Sequence, residues 1–144
     1  MKTRHAGSGA KFLLTIGLGC LGLVLVTFWS PARLRAGELV SARYLRAQGR
    51  ELVVKIIVGS PPPPSLIVIQ NLPAGVAVRS SRPAARSVNA ARGKAKWLLR
   101  EVQAGTIMVR MSLDRAVPAA AIAGEIRYRE PGSGTMITLP IAKP

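Results

Sequence analysis

From Glu51 onward, apolar and polar side chains alternate with a period of two, in short runs that glycine and proline cut apart. Thr106–Leu113 is the cleanest run: Ile107, Val109, Met111 and Leu113 fall on one face, and Thr106, Met108, Arg110 and Ser112 on the other. Successive side chains of a strand point to opposite sides, so this pattern makes a half-buried strand, where a helix needs a period of 3.6. The same reading puts Leu52, Val54, Ile56 and Val58 together, with Lys55 opposite. It sets Ile67 and Ile69 against Gln70, and groups Val76 with Val78. Trp97 and Leu99 oppose Lys96, Leu98 and Arg100, while Ile126 and Tyr128 point inward and Arg127 and Arg129 outward. A strand over Leu39–Ala47 precedes a turn at Gln48-Gly49-Arg50, and Met136–Ile141 closes the domain, with Pro140 suiting an edge strand.

The punctuation is equally regular. Pro61–Pro64 ends a strand because proline donates no ladder hydrogen bond. Pro73-Ala74-Gly75, Gln103-Ala104-Gly105 and Pro131-Gly132-Ser133-Gly134 read as turns, and Asp114–Pro118 as a break. Ala116–Ala123 has helix-friendly residues, but Pro118 interrupts it, so it reads as a short linker. About seven short strands with frequent turns predict a single all-β domain, a β-sandwich.

The chain ahead of this domain has a different character. Lys2, Arg4 and Lys11 precede 18 uncharged residues, Phe12–Trp29, and Leu34-Arg35-Ala36 follows as an imperfect cleavage site. Eighteen helical residues reach about 27 Å, close to the hydrocarbon thickness of a bilayer. Residues 1–36 therefore read as a signal peptide that is removed or as a hydrophobic helix that stays as an anchor, and 37–144 as the exported domain. Gly17 and Gly19 stand where a lipobox before Cys20 needs Leu and a small residue, and the apolar run continues past the cysteine, so Cys20 reads as a membrane-segment residue.

Cys20 and His5 are the only cysteine and histidine, and both precede the domain. The domain thus has no means of making an internal disulfide, a Cys/His metal cluster, or a Ser-His or Cys-His nucleophile. The acids Glu38, Glu51, Glu101, Asp114, Glu125 and Glu130 are scattered with no pairing in spacing. The expectation is a non-enzyme without cofactor, metal or small-molecule substrate.

The pieces LIVIQNLPAGVAV, KWLL, QAGTIMVRMSL, AGEIRYREPG and MITLPI together resemble bacterial surface modules of immunoglobulin-like or fibronectin-III-like fold. The resemblance rests on Leu72-Pro73-Ala74-Gly75, Trp97, Gly105–Leu113 and Gly124–Tyr128 and spans about Leu39–Ile141. It implies a β-sandwich in an adhesive or spacer role. The chain departs from the family in having Gln70-Asn71 before Leu-Pro, where an acid is common, and in being strongly basic.

Charge supplies the candidate site. Sixteen of the 21 Lys and Arg and all six acids lie after Gly37, which leaves the domain at +10. Arg79, Arg82, Arg86, Arg92, Lys94 and Lys96 crowd into Arg79–Lys96 with no acid and no clear period, so the segment reads as a basic arm or solvated loop suited to an anionic partner. Arg100, Arg110, Arg127 and Arg129, with Lys55, suggest a basic sheet face. Trp97 and Tyr128 fall on inward faces, which disfavours a nucleic-acid reader that stacks bases. The expected function is a non-catalytic module of the bacterial cell envelope that binds or scaffolds a protein partner. The alternative is an electrostatic binder of acidic polysaccharide, lipid headgroups or nucleic acid through residues 79–96.

Overall fold

A computed structural model describes residues 38–144. The helix predicted over Phe12–Trp29 and the boundary at residue 36 lie outside them. Among the described residues no helix is long and apolar enough to cross a membrane.

Eight strands form: β1 (Val40–Val58), β2 (Ser65–Asn71), β3 (Val78–Arg82), β4 (Ser87–Asn89), β5 (Lys94–Arg100), β6 (Gly105–Val117), β7 (Ala123–Arg129) and β8 (Met136–Pro140). They make a three-stranded sheet in the order β1-β6-β3 and a five-stranded sheet in the order β4-β5-β2-β7-β8. Every pair of neighbouring strands is antiparallel. One core serves both sheets. Leu52, Val54 and Ile56 of β1 and Val109, Met111 and Leu113 of β6 share it with Leu66, Val68, Trp97, Ile126 and Tyr128 of the larger sheet. The all-β expectation holds, and the inward faces of β5, β6 and β7 are those read from the alternation.

Four local expectations are corrected. The turn predicted at Gln48-Gly49-Arg50 is a bulge: β1 runs straight through it, and its register with β6 shifts between Gly49 and Glu51. Gly49 takes φ +81°, a conformation that glycine adopts without steric cost. The break predicted at Asp114–Pro118 starts later, because β6 continues to Val117 and only a single 3-10 turn, Ala119–Ala121, follows. Asp114 holds that stretch in place. Its N–H donates to Ala77 O, and its Oδ1 accepts from Ala77 N, each at 3.0 Å. The Ala77 N–H, aided by Arg115, keeps the Asp114 carboxyl below the usual carboxylate range. The third is Arg79–Lys96, which is strand and turn.

The fourth concerns Gln70, which faces the core with Leu66 and Val68, while Ile67 and Ile69 take the outer side. Gln70 is fully buried and fully bonded. Its Oε1 accepts from the Tyr44 hydroxyl at 2.8 Å. Its Nε2 donates to Asn71 O and Ala123 O, each at 3.0 Å. One amide thereby links β1, β2 and β7. Burial, partly offset by the Gln70 bond, pushes the Tyr44 phenol up to about 12, so the hydroxyl stays a donor. Gln70→Leu is expected to cost about 1–3 kcal/mol in urea unfolding, because it strands the buried Tyr44 hydroxyl. Adding Tyr44→Phe to Gln70→Leu should recover part of that loss; a double variant less stable than Gln70→Leu alone would contradict the pairing.

The two sides of the sandwich differ. Beyond β8, Ile141 N donates to Gly124 O at 2.8 Å. Ala142 lies parallel to β1, with Ala142 N to Ala42 O and Tyr44 N to Ala142 O, both at 2.9 Å. The C-terminal segment thus stitches β1 to the larger sheet. On the other side, the edges β3 and β4 are unpaired with each other, and the chain crosses between them over residues 83–86.

Candidate anion-binding surface

All six residues of the predicted basic segment are exposed. The segment is neither arm nor unstructured loop. Ser80, Ser81 and Arg82 pair with Ser112, Met111 and Arg110 of β6. Ser87, Val88 and Asn89 pair with Lys96, Ala95 and Lys94 of β5. Arg79 and Arg82 therefore belong to the three-stranded sheet, and Lys94 and Lys96 to the five-stranded one. Arg86 is anchored beside the latter through its N–H to Lys96 O at 2.8 Å. Arg92 sits in the β4–β5 turn, where its N–H donates to Asn89 Oδ1 at 3.0 Å. Charged edge strands are also a common guard against edge-to-edge aggregation, and β3, which carries Arg79 and Arg82, is an edge.

The structure brings Lys94 and Lys96 together with Arg100, along the outward side of β5. Leu98 shares that side. Across the ladder stand Asn71, Ile69, Ile67 and Ser65 of β2, facing Lys94, Lys96, Leu98 and Arg100 in turn. Next come Glu125 beside Ile69 and Arg127 beside Ile67, on β7. Alternate residues of a strand lie about 7 Å apart, so Lys94, Lys96 and Arg100 form a row about 20 Å long. Glu125 is the acid on this face, and its Oε1 accepts from Arg127 Nε at 2.9 Å and Nη2 at 2.5 Å. Arg129 Nη1 donates to Gly134 O at 3.2 Å. Among the described residues no acid pairs with Lys94, Lys96 or Arg100.

Family models, curated proteins and solved structures offer no match to this chain.

The basic face expected from Arg100, Arg110, Arg127, Arg129 and Lys55 is divided. Arg100, Arg127 and Arg129 share the outer face of the five-stranded sheet, whereas Arg110 and Lys55 lie on the three-stranded sheet. Tyr44, Trp97 and Tyr128 are all buried, so the described residues offer no aromatic side chain on either face. No three of His, Cys, Asp and Glu come together among the described residues. Ile67, half-buried on the outward side, belongs to this surface, whereas Ile69 points the same way but is covered. The alternation alone does not say which side of β2 is outward, and the register with β5 supplies the answer.

Proposed function

We propose that the chain is a non-catalytic interaction module of the bacterial cell envelope, of immunoglobulin-like or fibronectin-III-like fold. Its N-terminal segment exports it and either leaves or tethers it. It holds an acidic polysaccharide on the outer face of the five-stranded sheet. The fold reading is supported by two antiparallel sheets around one core, with Trp97 at its centre. The ligand reading rests on one observation: Lys94, Lys96 and Arg100 form an unpaired cationic row on one strand, bordered by Ile67 and Leu98. A flat, exposed row of this kind suits the repeating charges of an extended polymer better than a single small ligand. The burial of Tyr44, Trp97 and Tyr128 weighs against single-stranded nucleic acid, whose readers stack bases on exposed aromatics.

The test is binding of the full chain, in neutral detergent, to polygalacturonate over a salt series. Affinity is expected to fall linearly on a log–log plot as counterions are released. The variant Lys94→Ala/Lys96→Ala/Arg100→Ala should bind at least about tenfold more weakly in low salt, with a shallower slope. Equal capture by the variant overturns this reading.

A protein partner that adds a strand is the second reading. It is favoured by β4, a three-residue edge strand whose Val88 is 45% exposed. That mode predicts capture of a peptide strand that salt barely affects and that Ser87→Pro abolishes, since Arg86 and Val88 turn their N–H groups toward β5 and Ser87 turns its own to the free edge.

A further inference from the structure

We infer that the outer face of the three-stranded sheet carries a separate site for one tetrahedral oxyanion, a phosphate or sulfate group. Electrostatics alone disfavours one register of this sheet. Arg82 of β3 and Arg110 of β6 are direct cross-strand partners. Like charges at such positions, about 4.5–5.5 Å apart at Cβ, repel and destabilise the pair of strands. Among the described residues no acid pairs with either arginine. Two rungs along, and next on the same face, Ser80 pairs with Ser112, so two hydroxyls stand beside the two guanidinium groups.

β1 adds a third cation. The bulge between Gly49 and Glu51 lets Arg50 and Glu51 both line the same depression as Arg82, Arg110, Ser80 and Ser112. The depression is open to solvent, with a volume of about 660 Å³. Glu51 would oppose an anion, but its carboxylate is engaged by Arg46. What remains is three guanidinium groups with two hydroxyls. Arginine forks bind tetrahedral oxyanions through two parallel N–H bonds, and serine hydroxyls donate to the remaining oxygens. An anion seated between Arg82 and Arg110 turns their repulsion into a shared attraction. This site lies on a different sheet from the Lys94–Arg100 row and does not depend on it.

The experiment is thermal unfolding of the full chain in neutral detergent, followed by circular dichroism, with inorganic phosphate or sulfate against chloride at matched ionic strength. Phosphate or sulfate at ten times its dissociation constant should raise the midpoint by about 5 °C over chloride. Arg82→Gln and Arg110→Gln should each abolish that rise, while leaving the midpoint in chloride unchanged or higher, since the like-charge contact is relieved. Ser80→Ala/Ser112→Ala, which keeps every charge, should reduce the rise and covers the case in which an arginine variant fails to fold. Lys94→Ala/Lys96→Ala/Arg100→Ala should keep it in full. A rise with glycerol phosphate equal to that with inorganic phosphate supports a site for a phosphate group on a larger molecule, whereas a rise with the inorganic ions only supports a free-ion site. A midpoint that moves no more with phosphate or sulfate than with chloride overturns the inference, as does a rise that survives intact in Arg82→Gln.

Discussion

Replacing Trp97 by alanine is expected to cost about 3–5 kcal/mol, the range for truncating a large aromatic in a packed core. Stabilities of small domains run to only about 5–15 kcal/mol, so the loss takes a large share of the total. The ring is fully buried and stands opposite Val68 across the β2–β5 ladder. It also reaches the side of the sandwich where β3 and β4 are not paired with each other. Its Nε1–H lies 3.1 Å from Pro83 O and 3.3 Å from Ser81 Oγ. Ser81 Oγ in turn accepts from Ala85 N at 2.9 Å. The tryptophan is thus core filler and the tie for the crossing from β3 to β4. Trp97→Phe keeps most of the apolar contact and loses the tie, so it should cost less, with hydrogen exchange at Ser80–Asn89 rising more than elsewhere. Denaturant unfolding checks the first part; a Trp97→Ala loss under about 1 kcal/mol would contradict the placement of the ring.

Gly93→Ala should be comparably damaging for a different reason. A Cβ there would lie 2.0 Å from Leu72 O and 2.8 Å from both Leu72 C and Pro73 O, all of them backbone. Backbone cannot rotate aside as a flexible side chain can. The same glycine takes φ +56° and accepts Leu72 N–H on its own carbonyl at 2.6 Å. Relief of the clash therefore breaks that bond and separates the 73–75 turn from the 90–93 turn. A loss above about 3 kcal/mol is expected, in the range that marks a named structural fault. Gly75→Ala is the control. Gly75 also has a positive φ, +81°, but nothing lies within 4 Å of its Cβ position. Only the conformational strain of about 1–2 kcal/mol applies there. Equal losses at the two glycines would show that strain, and not the close approach, dominates.

The alternation made the all-β class, the inward faces of β5, β6 and β7, and the β7–β8 hairpin legible in the residues alone. Its failures have physical causes. Gln48-Gly49-Arg50 has turn composition, and only pairing with β6 keeps it extended. Both faces of β2 carry branched aliphatics, so the alternation does not reveal that Gln70 faces the core. Its satisfaction depends on Tyr44, 26 residues earlier, which no local pattern reveals. The basic segment shows no period because a register shift falls between Val78 and Ser80 and because β4 is only three residues long. The charge of both candidate surfaces is legible in the residues, but only part of their geometry is. That Lys94, Lys96 and Arg100 form one row follows from β5 alone, whereas the meeting of Arg82 with Arg110 is a property of register.

The parallel bridge between Arg43 and Ala142 has a mechanical consequence. The chain enters the sandwich ahead of Val40 and leaves it after Ala142, with the two segments side by side and pointing the same way. Tension between those two points pulls the segments past each other along their length. The bonds Tyr44 N to Ala142 O and Ala142 N to Ala42 O are then loaded together and not opened one after another. A clasp loaded in this way resists tension better than a hairpin peeled from its open end. Tension applied across Val40 and Ala142 therefore meets this clasp in shear, whereas β3 and β4 make no hydrogen bond to the C-terminal segment.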